Sequence, residues 1–245
     1  MSVSPHGEDP PPYIPPSHNE AEELLQPVIL ILSERFIRIQ SVNSTPLYEL
    51  SRDIRRSSGC EAQVSLDRLI HSVRTNADGT PRVTHRNRHI FDLKHMPPIL
   101  SKGFPYCLDA ISRTSMGNLA LKTTSFPRPG FKVMKIEPER GDGFPKGYTA
   151  RRKSLKEVEL IFEVLRKQGH FEWLSPDGNR IAVEEEIEGQ YKLIVMSPVP
   201  RKIMDAMVGS WCLRIWRDNS KVDDEPWKPF KTEVRNTREI LPRWW

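Results

Sequence analysis

This sequence predicts a mainly β fold, a closed antiparallel barrel of about twelve strands around one buried hydrophobic helix near the C-terminus. Three observations lead there. Short apolar runs recur along most of the chain, and breaks rich in proline, glycine and polar residues separate them. Twenty-two prolines stand against thirteen glycines, a count that suits strands and turns better than long helices. One segment alone, Val199–Arg217, is apolar around most of a helical circumference, and a helix of that kind must be buried.

The elements follow in order. Residues 1–23 are rich in Pro, Ser and acids and have little to bury, so they read as a disordered tail. The barrel domain is expected over 24–220. Its first strands are the continuous apolar run Val28–Leu32, then Arg35–Ile39, and Leu47–Leu50 after the break at Pro46. Val64–Ile70 continues the pattern. A polar turn at Asn76–Gly79 leads to Val83 and then to His89–Leu93. Later runs are Tyr106–Ile111, Asn118–Lys122, Phe131–Ile136, Val158–Leu165 and Phe171–Trp173. A turn at Pro176–Asn179 joins the last of these to Ile181–Glu184, and Tyr191–Val195 closes the series. No helical pattern of ten or more residues is interleaved, which argues against a parallel α/β sheet.

In the helix, Ser210, Arg214 and Arg217 form a narrow polar stripe, and Pro198 and Pro200 set its start. Its apolar core is too short to span a bilayer, and Asp205 and Arg214 interrupt it. Residues 221–245 form a polar C-terminal extension. Trp227, Trp244 and Trp245 favour folding it back on the domain.

Charge is unevenly spread. Residues 1–26 hold five acids (Glu8, Asp9, Glu20, Glu22, Glu23), while all 37 Lys and Arg side chains fall beyond them. The net +5 therefore understates how basic the folded part is, and phosphate-bearing partners or a merely solvated basic surface both fit. Cys60, Cys107 and Cys212 are odd in number and far apart, so neither a disulfide framework nor a zinc site is expected. No basic-then-apolar leader opens the sequence. A reducing, cytoplasmic setting is expected, with peripheral membrane association left open.

Pro10-Pro11-Pro12-Tyr13 fits the PPxY pattern that WW domains bind. Consecutive prolines hold a polyproline II helix that stacks in an aromatic groove at little ordering cost, and the tyrosine fills a neighbouring pocket. Arg151, Arg152 and Lys153, beside Lys146 and Lys156, form a basic loop suited to gripping phosphates. Lys122, Lys132 and Lys135 fall on neighbouring strands and suit either a second phosphate or lipid patch or the solvated face of a half-buried sheet. Glu184–Glu188 lacks the glycine-shaped loop of a calcium site and reads as a strand end and turn. His85, His89 and His95 would share one face of a regular strand, yet they lack an acidic or cysteine partner close in sequence. No metal or cofactor is expected. The sequence has no GxSxG elbow, P-loop, GxGxxG or HExxH, so no catalytic residues are assigned and a non-enzymatic role is expected.

The strand series and its C-terminal helix together resemble the tubby C-terminal-like superfamily, which includes tubby-like proteins, phospholipid scramblases and LURP-one-related proteins. The likeness is carried by Phe36–Ser51, by Ala110–Thr114 through Leu119–Lys122, and by the helix Ile203–Trp216, and it would cover about residues 27–220. The sequence as a whole also resembles a group from filamentous fungi that pairs a PPxY-bearing N-terminus with such a domain. The resemblance implies a closed barrel threaded by a central helix. For tubby-like members it implies phosphoinositide binding through basic surface residues, and for scramblases a calcium-linked membrane role. The binding residues of neither group align on this chain, and it lacks the scramblases' C-terminal membrane span.

Three functions are therefore expected in turn. The first is an adaptor whose PPPY tail recruits a WW-domain protein such as a ubiquitin ligase. The second is a module that binds phosphoinositide or an anionic membrane. The third, ranked below them, is nucleic-acid binding, suggested by a pI near 9.1 and by tryptophans interleaved with Arg and Lys.

Overall fold

The structure, a computed structural model, describes residues 23–41, 44–56, 63–76, 78–96, 104–125, 128–138 and 155–223. Among the described residues fourteen strands precede one helix. The first six are β1 (Leu24–Leu25), β2 (Val28–Ser33), β3 (Phe36–Ile39), β4 (Pro46–Leu50), β5 (Gln63–Thr75) and β6 (Pro81–His95). Next come β7 (Tyr106–Ala110), β8 (Leu119–Thr124), β9 (Gly130–Pro138) and β10 (Leu155–Arg166). The series ends with β11 (His170–Leu174), β12 (Arg180–Ile187), β13 (Gln190–Val195), β14 (Val199–Pro200) and the helix α1 (Arg201–Asp223).

Strands β2 to β13 form a closed barrel, each paired antiparallel with the next in sequence. The ring closes where β13 pairs with β2, Leu193 lying opposite Leu30. The expected strands are therefore all present, and glycines shape several of the turns between them. Gly178, at φ 81°, sits in the Pro176–Asn179 turn, and Gly79, at φ 82°, in the β5–β6 turn, both in the left-handed region that favours glycine. Gly130 answers a different need. A Cβ there would come within 2.0 Å of the Val164 carbonyl oxygen across the β9–β10 pair.

Alternation turns Leu30, Leu66, Leu93, Leu108, Val133 and Leu193 inward, and together they enclose α1. Every residue from Met204 to Arg217 is buried, so the helix is covered on all sides. Burying a large apolar side chain is worth about 1.5–3 kcal/mol, and Met207, Trp211, Leu213, Ile215 and Trp216 are all enclosed. Gly209 lets the helix lie close to the wall, since a Cβ there would stand 3.1 Å from Leu108 and 3.3 Å from Phe91.

Three boundaries differ from expectation. The helix begins at Arg201, not Val199. Pro200 holds the preceding residue extended, and Leu25↔Val199 and Leu24↔Pro200 pair as a two-stranded patch. The helix also runs past Arg217 to Asp223. Finally, β5 and β6 are a single long hairpin, where the sequence suggested separate runs at Val64–Ile70, Val83 and His89–Leu93. Its outer rungs carry no apolar alternation, and only cross-strand bonding marks them as strand.

Candidate functional site

The barrel's interior charges come first, because they decide what is left for chemistry. A charge placed inside a barrel needs a partner on the wall. Glu184 on β12 meets Arg214 on α1 in a bidentate pair, with Arg214 Nε donating to Oε2 at 3.0 Å. Arg214 Nη1 also donates to Asp218 at 2.8 Å. Burial raises Glu184 above the ordinary carboxyl range against the opposing pull of Arg214. The indole N–H groups of Trp173 and Trp211 also favour its charged form, although neither meets hydrogen-bond geometry with a described residue.

About two and a half turns toward the helix start, Asp205 accepts from Tyr48 Oη at 2.9 Å and from Arg68 Nη1 at 2.9 Å. Burial lifts Asp205, and it lifts Tyr48 well above the usual phenol value. At the other end, Arg217 Nη1 donates to Thr123 at 3.1 Å, and its guanidinium lies 4.2 Å from the centre of the Phe131 ring. Arg214 packs likewise over Phe171 at 4.5 Å. Burial lowers the Arg217 pKa from the usual guanidinium value.

Each end of α1 opens on a cleft. Around its C-terminal end lies a polar cleft of about 820 Å³ between the β10–β11 and β12–β13 turns. Arg166, Lys167, Arg214 and Arg217 line it together with Glu184, Glu185, Glu186, Glu188 and Asp218, so it is electrically balanced rather than anion-selective. Among the described residues the lining holds no serine, threonine or cysteine. At the N-terminal end a cleft of about 360 Å³ is mainly apolar, lined by Leu25, Val28, Leu47 and Met204, with Tyr48 and Arg68 at its polar side.

The residues singled out from sequence fall in different places. Lys122 pairs across strands with Lys132 on the outer face, and its Nζ lies 2.6 Å from Glu157. Lys132 stands opposite Glu163, so both lysines sit among carboxylates. Lys135 pairs with the enclosed Leu119 and takes that residue's face, opposite to the other two. The three therefore do not form one patch. Arg151, Arg152, Lys153 and the Pro10–Tyr13 motif lie outside the described residues, as does Cys60.

The histidines separate too. A β-bulge at Ile90 lets Leu66 face Phe91 while Asp67 faces His89. It flips the alternation, so His85 and His89 lie on one face and His95 on the other, stacked on Tyr106 at 4.4 Å between ring centres. Among the described residues no three His, Cys, Asp or Glu side chains gather as metal ligands. The acidic run divides as well, with Glu184 enclosed and Glu188, at φ 52°, in the turn that follows β12.

Sequence reasoning missed the pairings of Tyr48, Arg68 and Glu184 with the helix. The signal was present, because a charge within a helix that must be buried on all sides calls for a wall partner. No family model, curated protein or solved structure matches this chain. Among the described residues no helix is long and apolar enough to cross a membrane.

Proposed function

We propose that this chain is a non-enzymatic adaptor, in which the helix-filled barrel is a rigid body and Pro10–Tyr13 recruits a WW-domain protein, with ubiquitin ligases the leading class. The observation that carries this reading is the filled lumen. From Met204 to Arg217 the helix occupies the barrel axis, and Glu184–Arg214 and Tyr48–Asp205–Arg68 bond its charges to the wall. A lumen of this kind supports recognition at the surface rather than turnover inside. The PPPY motif is the most specific recognition signal in the sequence, and its chemistry is complete in four residues.

The anionic-membrane reading through Lys122, Lys132 and Lys135 is less supported. Glu157 and Glu163 stand against two of them, and the third faces the other way. The test is titration calorimetry of the full chain against an isolated WW domain. Tyr13→Ala is expected to weaken binding at least tenfold, about 1.4 kcal/mol, with the melting temperature unchanged. Equal binding by the variant, or none by the wild type, overturns the reading.

A further inference from the structure

The β5–β6 hairpin is longer than the barrel needs. Beyond the Leu69↔Asn87 rung its described residues are exposed on both faces but for the half-buried Ile70 and Thr84, and past His71, whose Nε2 lies 2.9 Å from the Pro46 carbonyl oxygen, it stands out as a two-stranded ribbon. The register sorts its side chains. Ile70↔Arg86, Ser72↔Thr84 and Arg74↔Arg82 lie on one face, and His71↔His85 and Val73↔Val83 on the other. The first face is therefore a ladder of arginines and hydroxyls, with Ser72 Oγ and Thr84 Oγ1 2.8 Å apart.

Arg74 and Arg82 stand directly opposite each other, an arrangement of like charges that destabilises a strand pair. Among the described residues neither they nor Arg86 makes a side-chain ion pair or hydrogen bond. The contrast with Lys122 is plain, since that side chain has Glu157 beside it. Unneutralised arginines held in register on a stiff ribbon cost stability unless an anion settles between them.

We propose that this arginine face docks the phosphate backbone of double-stranded nucleic acid, the ribbon entering the major groove. Two strands about 4.8 Å apart fit a groove about 12 Å wide. Arg74 and Arg82 on one rung and Arg86 four residues along β6, a rise of about 13 Å, suit a repeating polyanion better than one isolated phosphate. Arginine contacts phosphates through bidentate hydrogen bonds, and with Thr84 Oγ1 donating to the Ser72 carbonyl oxygen at 3.3 Å the Ser72 hydroxyl is one further donor. An anionic membrane fits less well. Tip-first insertion would bury Asp78, whose carboxylate accepts from Thr80 N at 2.9 Å and from Thr80 Oγ1 at 2.6 Å. The apolar pair Val73 and Val83 lies on the face away from the arginines.

The test is fluorescence anisotropy of the purified full chain with a mixed-sequence DNA duplex of about two helical turns, over a salt series. Parallel sedimentation uses vesicles of equal parts phosphatidylcholine and phosphatidylserine. Each of Arg74→Gln, Arg82→Gln and Arg86→Gln is expected to lower the slope of log K against log salt by about 0.9, and the triple variant by about 2.7. Lys122→Gln is expected to leave the slope unchanged. Unaltered tryptophan fluorescence and a melting temperature no lower than the wild type's establish that the variants fold. The proposal is overturned if the wild type fails to bind duplex at low salt, if the triple variant keeps the wild-type slope, or if vesicles bind while duplex does not.

Discussion

Glu184 and Arg214 sit with only 2% and 6% of their side chains exposed, so both have given up their hydration. At an effective dielectric near 20 their attraction is about 4 kcal/mol, against a desolvation penalty of several kcal/mol for each ion. The pair therefore adds little net stability, but losing one partner is severe because the other charge stays enclosed. Arg214→Met is expected to destabilise the fold by about 3–5 kcal/mol in urea unfolding. The double variant Arg214→Met with Glu184→Gln is expected to regain most of that loss. Strict additivity of the two single changes would show that the contact is not coupled.

At the scale of the element, α1 carries Asp205 into the wall, and burial holds that carboxyl above its ordinary 3.8. The folded state thus keeps the proton to a higher pH than the unfolded chain does. Its contribution is full below the unfolded value and is lost as pH rises through the folded one. Asp205→Asn is neutral throughout. The stability of the wild type relative to this variant is therefore expected to fall as pH rises above the ordinary carboxyl value, read by urea unfolding along a pH series. A difference that stays flat, or grows with pH, would mean that the carboxylate is ionised in the fold as readily as in the unfolded chain. The helix was legible because its apolar residues cover most of the circumference, and the barrel strands because short apolar or alternating runs recur between polar breaks. The pairings were not. The partners of Arg214 and Asp205 lie 30 and 157 residues away, where local periodicity carries no information. Nor could spacing show the bulge at Ile90 that parts His89 from His95, or rungs such as Arg74↔Arg82 that have no apolar face.

For the molecule as a whole, the helix is both contents and clamp. Removing it would leave the inward side chains of β2 to β13 around an empty centre. A chain ending at Pro198 is expected to lose cooperative unfolding and to expose its interior, measured by a melt without a sharp transition and by bound hydrophobic dye. A cooperative melt like that of the full chain would show that the wall stands alone. The ring also joins its beginning to its end, with β2 bonded to β13, and Glu23 contacts Arg201 across 178 residues. On the ribosome this has a temporal meaning. Strand β2 emerges before the rest of the barrel wall with one edge unpaired, and it keeps that edge until β13 has been synthesised. Until then the nascent chain exposes a hydrophobic template for pairing with its neighbours. Such a protein should depend on chaperones that shield nascent chains, and the dependence should last from the synthesis of β2 until that of β13.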